Sequence, residues 1–215
     1  RSDFDRLVKT VPTIVNAIPI REMQREARYL HNSMEIRLVG CTADYQEINN
    51  LRIQSGRFIT TRDTEARDTV AVLASETADR LFPGESPIGK RIQVTAGYNT
   101  NFYTVIGIMA DRTASAAIGG SLSGQDFNKD VYIPITTMRI RIGDDDYRFR
   151  SGTFSAERVE LNQITFQIKS REDILPTAEI IRETLEKFHA KKKDFAIIVP
   201  LELLRQADQL RQIFN

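Results

Sequence analysis

The sequence predicts an α+β protein built in two parts. Residues 34 to 38 alternate Met34, Ile36 and Leu38 with Glu35 and Arg37, the period of a half-buried strand. "TVAVLA" at 69 to 74 is a short apolar run suited to a buried strand, and a helical pattern follows at once. Near the C-terminus Ile174, Ala178, Ile181, Leu185 and Phe188 recur at spacings of four, three, four and three, one face of an amphipathic helix. That helix lies between strand-like segments at 159 to 168 and 194 to 199, which makes a βαβ-like unit.

Taken in order, Ser2 and Asp5 suit a capping box for a short helix over 3 to 10. Residues 21 to 30 read as a polar helix or as a strand with Met23, Ala27 and Tyr29 on one face. "HNS" at 31 to 33 is a good turn, so a long hairpin is expected. The texture changes after Cys41, with a short helix at 44 to 50 and a glycine-broken stretch, "IQSGRFIT". Ser75 is expected to cap a helix bearing Ala78, Leu81 and Phe82. Strands at 91 to 95 and 102 to 109 flank a turn, and residues 112 to 130 form a glycine-rich loop. "VYIPI" at 131 to 135 is a strand whose Pro134 belongs at an edge or an end. Pro176 places the start of the amphipathic helix near itself, and a last helix runs through Leu203, Ala207, Leu210 and Phe214.

Thirty basic residues stand against 29 acidic ones in 215, without the one-sided basic excess of a nucleic-acid binder. Cys41 is the sole cysteine, which excludes an internal disulfide and suits a small buried side chain. No apolar run approaches the ~18 residues of a membrane span. Arg1 in the first position and a final "LRQIFN" without a stop signal lead us to expect a piece of a longer chain.

"GESPIGKR" at 84 to 91 has the spacing of a phosphate-binding loop. Such a loop needs a strand before it and a helix after it, because the phosphates sit on the helix's free amides. Here a helix leads in and a strand leads out, Arg91 replaces the magnesium-binding hydroxyl, and Pro87 lacks an amide. The stretch reads as a turn. Asp144, Asp145 and Asp146 have no calcium-loop spacing and read as a solvated turn. His31 and His189 have no ligand cluster around them, and Ser75 and Ser86 have no nucleophile elbow. Neither catalytic nor metal-ligating residues are therefore assigned. The loop at 112 to 127 carries Ile118, Leu122 and Phe127 among small residues, and these three are the candidate partner contacts.

"VAVLASETADRLFPGESPIGKRIQV", then "FYTVIGIM", then "GQDFNKDVYIPITT", closely resembles the extracytoplasmic core domain of MacB-type, FtsX-like ABC transporter permeases. The earlier "VGCTADYQEINNLRIQSGRFIT" at 39 to 60 is similar to the same family's pattern, so the likeness is strongest over about residues 36 to 140. The segments 112 to 129 and 143 to 160 depart from it. The resemblance implies a discontinuous porter-like lobe from residues 1 to 42 and 157 to 200. A mixed α/β lobe, 43 to 156, is inserted in it, and residues 201 to 215 begin a stalk helix toward the membrane. It further implies a non-catalytic extracytoplasmic (periplasmic) part of an inner-membrane protein, with no cofactor in this chain. ATP would be used at a separate cytoplasmic ABC ATPase domain or subunit. The full-length protein would be a homodimer or paired permease, with a periplasmic adaptor as a further partner. The alternative function is a module that captures cargo or a partner protein. The family's cargoes range over drugs, peptides, siderophores and lipoproteins.

Overall fold

The structure, a computed structural model, describes residues 11–96, 99–111, 127–143, 145–150, 153–158, 161–188 and 196–199. Strands β1 (Ile14–Tyr29) and β2 (Asn32–Cys41) form the expected antiparallel hairpin. Its turn falls one residue earlier than "HNS", on Leu30 and His31: Tyr29 faces Asn32 and Leu30 takes φ 50°. Helix α1 (Tyr45–Ile48) follows, then the short strand β3 (Ile53–Gly56). Helix α2 (Thr61–Ala66) was not foreseen. A capping box builds it: Asp63 N–H donates to Thr60 Oγ1, and the Thr60 N–H donates to the Asp63 carboxylate at 2.7 Å.

Strand β4 (Val70–Leu73) leads into helix α3 (Ser75–Leu81) as expected, with one correction. Ala74, rather than Ser75, is the N-cap, and the Ser75 hydroxyl donates to the Asp111 carboxylate instead. Strands β5 (Arg91–Ala96) and β6 (Asn99–Met109) are both found. A 3-10 turn at Phe127–Lys129 enters β7 (Asp130–Pro134), where Pro134 is the last strand residue, an end as predicted. Helix α4 (Ile135–Ile142) was also missed, since "ITTMRIRI" is rich in branched residues that favour strands. Strands β8 (Asp145–Arg150) and β9 (Thr153–Arg158) pair as a separate hairpin. Strand β10 (Gln163–Ile168) and helix α5 (Ile174–Phe188) supply the first two elements of the expected βαβ unit. Of the third, expected at 194–199, only residues 196–199 are described, and they carry no strand and pair with no described segment. Helix α5 starts two residues before Pro176, whose missing amide costs nothing in a first turn.

Six strands close on themselves, each hydrogen-bonded to the next, in the order β1, β2, β7, β4, β6, β5 and back to β1. Closure rests on a three-residue antiparallel seam, Glu26–Arg28 of β1 against Gln93–Thr95 of β5. Strand β3 branches from β6 and β10 from β1. The interior is filled by Met23, Ala27, Ile36, Leu38, Ala71, Leu73, Ile92, Val94, Tyr103, Val105, Val131 and Ile133. Leu81 from α3, Phe82 at its C-cap, and Met138 from α4 join the same core. A second core lies on the opposite face of these strands. There Val39, Cys41, Val72 and Tyr132 pack with Tyr45, Phe58 and Ile59. Both faces of β2, β4 and β7 are thus covered, the condition that makes strands read as continuous apolar runs.

The described residues divide into two compact units. The larger holds residues 18–111 and 127–165; the smaller holds residues 11–17 and those from 166 onward. The lobe boundaries expected at 42 and 157 fall inside the larger unit, because β2 pairs in parallel with β7 from Arg37–Asp130 to Cys41–Pro134. In the smaller unit the Lys169 N–H donates to the Thr13 carbonyl at 2.9 Å, and the Thr13 and Thr177 hydroxyls are 2.6 Å apart. The buried face of α5 there is Thr177, Ala178 and Ile181.

Candidate functional site

A buried ion pair lies just after segment 112–126, where the chain enters β7. Arg37 alternates with Ile36 and Leu38 as a polar outward residue should, yet it is only 7% exposed. The second core covers its face of β2, and pairing with β7 sets Asp130 directly across from it. Arg37 Nε donates to Asp130 Oδ1 at 2.7 Å and Arg37 Nη2 to Oδ2 at 2.6 Å, a bidentate fork. The Tyr132 hydroxyl donates to Asp130 Oδ2 at 2.8 Å, and Glu22 lies 3.4 Å from Arg37 Nη1. Burial pushes the Asp130 carboxyl up, while the hydrogen bonds from Arg37 oppose that shift. Burial likewise pushes the Cys41 thiol and the Tyr45 and Tyr132 phenols up, so none of them ionises at neutral pH. At its centre is a buried, bidentate structural ion pair.

The guanidinium of Arg37 also lies over the Phe127 ring, 4.8 Å from its centroid. Phe127, one of the three expected partner contacts, is buried, with 6% of its surface exposed. Ile118 and Leu122 lie outside the described residues. Where the chain leaves this region, Asn128 C=O accepts from the Thr77 hydroxyl at 3.4 Å and Asp130 C=O accepts from the Ala74 amide at 2.9 Å. Where it enters, Asp111 is held by Ser75. Both ends of the segment are therefore tied to the N-terminal turn of α3. Sequence reasoning missed Arg37, Asp130 and Tyr132. The apolar Val39 and Cys41, on the same strand face as Arg37, were the signal that this face is covered.

The "GESPIGKR" stretch is a turn between α3 and β5, in the order helix, turn, strand. Gly84 and Gly89 both take positive φ, 77° and 82°. The Gly89 amide donates to Val105 C=O at 2.8 Å and the Lys90 amide to Pro87 C=O at 3.0 Å, so both are spent on the fold. Lys90 pairs with Glu85 and lies over the rings of Tyr29 and Phe82. His31 sits in the hairpin turn, and His189 and Asp144 lie outside the described residues. Asp145 and Asp146 open β8. No group of side chains suited to a metal ion occurs among the described residues, and no described helix is long and apolar enough to cross a membrane.

Comparison with known proteins follows the same outline. The family model for the MacB-like periplasmic core domain matches residues 1–184. The macrolide export ATP-binding/permease protein MacB of Azoarcus sp. (strain BH72) is 26% identical over 196 residues, covering 84% of this chain and 28% of that protein. The pyoverdine export ATP-binding/permease protein PvdT of Pseudomonas aeruginosa is 28% identical over 141 residues, covering 66% of this chain and 20% of its own length. The chain thus spans less than a third of the length of either of these two relatives. In fold it is similar to the crystal structure of the periplasmic region of MacB from Actinobacillus actinomycetemcomitans. The TM-score is 0.67 at 20% identity, over 97% of this chain and 81% of that one. With its motif order, its mixed α+β architecture and a family match over most of its length, this chain belongs to the MacB-like periplasmic core domain family of ABC transporter permeases.

Proposed function

We propose that this domain is a non-catalytic moving part of an export permease. It would couple ATP hydrolysis by a cytoplasmic ABC ATPase to conformational change outside the membrane. The observation that carries this reading is the closed six-strand ring, packed solid with side chains and backed by a second core. A filled, closed ring resists bending and can pass on a displacement as a rigid body. The chemistry of its buried polar groups adds support. The Arg37–Asp130 fork and the capped Asp63 are locked in structural bonds, and the Gly89 and Lys90 amides of the glycine-lysine turn are already used. Nucleotide binding is therefore assigned to another domain or subunit, and no cofactor to this chain. We extend the reading to two copies of the permease that exchange two packing states, with nucleotide biasing one of them. A periplasmic adaptor is a further partner. Macrolide and pyoverdine exporters are both relatives, so the cargo is left open.

Spin labels on the full-length protein test this. Glu35 and Arg62 are exposed on the larger unit. Labels at both positions within one copy should keep their distance when the ATPase is trapped with nucleotide. A single label at Glu35 in each copy should report a changed distance between copies. An altered distance within the ring, or saturable magnesium-ATP binding by this 215-residue chain in calorimetry, would overturn the reading. A second reading, capture of cargo or a partner protein by segment 112–126, draws on the tethering of both its ends. It requires that the isolated chain bind such a ligand and that deleting the segment abolish binding.

A further inference from the structure

A cleft of about 530 Å³ opens at the α2–α4 side of the larger unit, lined by Arg67, Asn99, Thr100, Asn101, Thr137, Ile140 and Arg141. Its described lining carries two guanidiniums, two carboxamides and two hydroxyls, and no carboxylate. Neither Arg67 nor Arg141 makes an ion pair among the described residues, whereas Arg28, Arg37, Arg57, Arg80 and Arg182 all do. Two unpaired cations on one wall repel each other unless an anion sits between them.

The fold holds these groups in place. Arg67 is the left-handed C-cap of α2, with φ 60° and its N–H donating to Asp63 C=O. The Thr136 hydroxyl donates to Thr64 C=O, and the Thr137 hydroxyl donates to Asp68 C=O at 2.9 Å. These bonds tie the first turn of α4 to the end of α2 and fix the platform from which Arg67 and Arg141 extend. Across from them β6 brings Asn99 and Asn101 to one face, two residues apart. A second, independent observation lies there. The Asn101 Nδ2 is buried and has no hydrogen-bond partner, and the hydroxyl of fully buried Tyr103, next in that row, has none either. Buried donors are almost always matched by an acceptor, so an unmatched one beside two unpaired cations points to an acceptor-rich ligand. Burial drives the Tyr103 phenol up to about 12, offset in part by the positive charge of Arg141, so it remains a neutral donor.

We infer that this cleft binds a phosphate or phosphomonoester dianion through Arg67, Arg141 and Asn101. Two charges are needed to neutralise two guanidiniums. A phosphate group offers acceptor oxygens in several directions at once, matching donors that arrive from α2, α4 and β6. The ligand is either free in solution or a lipid headgroup.

Calorimetric titration of the 215-residue chain with inorganic phosphate tests the inference. Co-sedimentation with phosphatidylcholine vesicles that do or do not carry phosphatidic acid runs beside it. Saturable phosphate binding is expected, weakened about tenfold or more in the R67Q/R141Q double variant, as loss of charge-assisted contacts requires. Both arginines are exposed and unpaired, so the variant should melt at the wild-type temperature, and that melt checks folding. Phosphate binding without vesicle recruitment identifies a free phosphate compound. Recruitment that depends on phosphatidic acid and is displaced by phosphate identifies a headgroup. Absence of both, or binding unchanged in the double variant, overturns the inference.

Discussion

Replacing Arg37 by Met should be among the most damaging single changes to this domain, and the structure says by how much. The Arg37 side chain is 8% exposed and that of Asp130 0%, with two charge-assisted bonds between them at 2.6 and 2.7 Å. Removing the cation leaves a buried carboxylate held, among the described residues, by the Tyr132 hydroxyl alone. Breaking one partner out of a buried pair costs roughly 3–5 kcal/mol, against about 0–1 for an exposed pair. A total stability near 5–15 kcal/mol makes that a large share. Asp130→Asn should cost less, roughly 1–3 kcal/mol, because the amide keeps an acceptor for Tyr132 and Arg37 retains Glu22 at 3.4 Å. The R37M/D130N double variant should be more stable than R37M, since a neutral amide is cheaper to bury than a lone carboxylate. Urea denaturation followed by circular dichroism gives all three values. With a slope of about 1–3 kcal/mol per molar, R37M should lower the midpoint by at least about 1 M. A loss below about 1 kcal/mol for R37M, or strictly additive single and double variants, would refute the claim that this pair is coupled and buried.

Three further outcomes follow from the packing. Asp63 is buried and its carboxyl is held well below the ordinary range, first by the Arg57 hydrogen bond and then by those from Thr60. Its contribution is therefore present above the unfolded value of about 3.9 and lost as pH falls below it. Asp63→Asn should cost about 1–2 kcal/mol at pH near 7 by urea titration, and the gap to wild type should close in acid. A Cβ at Gly107 would lie 2.2 Å from Arg57 O, a backbone atom that cannot step aside, so Gly107→Ala should cost roughly 1–3 kcal/mol or more in the same assay. Met138, fully buried against the ring interior, should cost about 2–5 kcal/mol when cut to Ala, and thermal melts will read it.

Much of this was legible. The hairpin, the apolar β4, the helix after it, the β5–β6 pair and the face of α5 all come from local periodicity. The reversed order around the glycine-lysine turn is a matter of sequence order alone. What escaped is non-local. The Thr60–Asp63 box is written plainly in "TTRD", but it starts only six residues and gives no apolar stripe. Helix α4 carries branched residues because its role is set by packing: Met138 lies against Gly40, where an added Cβ would come within 2.4 Å of its sulfur. Arg37 and Asp130 are 93 residues apart and each looks like a surface charge until the β2–β7 register sets them opposite one another. Arg67 and Arg141, 74 residues apart, meet on one cleft only because two threonine hydroxyls fasten α4 to α2.

Ring closure has a dynamic consequence that can be measured. An open sheet frays from its edges, whereas a closed ring has none, so its strands must open together. The seam between β1 and β5 is only three residue pairs long, yet it sits over Ala27 and Val94, both fully buried in the main core. Opening the seam would expose that core, so the seam should be as slow to open as the centre of the sheet. Native-state hydrogen exchange should then give the amides of β5, near Ile92 and Val94, the same opening free energy as those of β2 and β7. The separate β8–β9 hairpin, which pairs with no ring strand, should exchange earlier. Exchange of the β5 amides through a low-energy local opening, with β2 still protected, would mean that the ring is open in solution. A domain with such a gap would bend at the seam under load, and the rigid-body reading of its movement would fall with it.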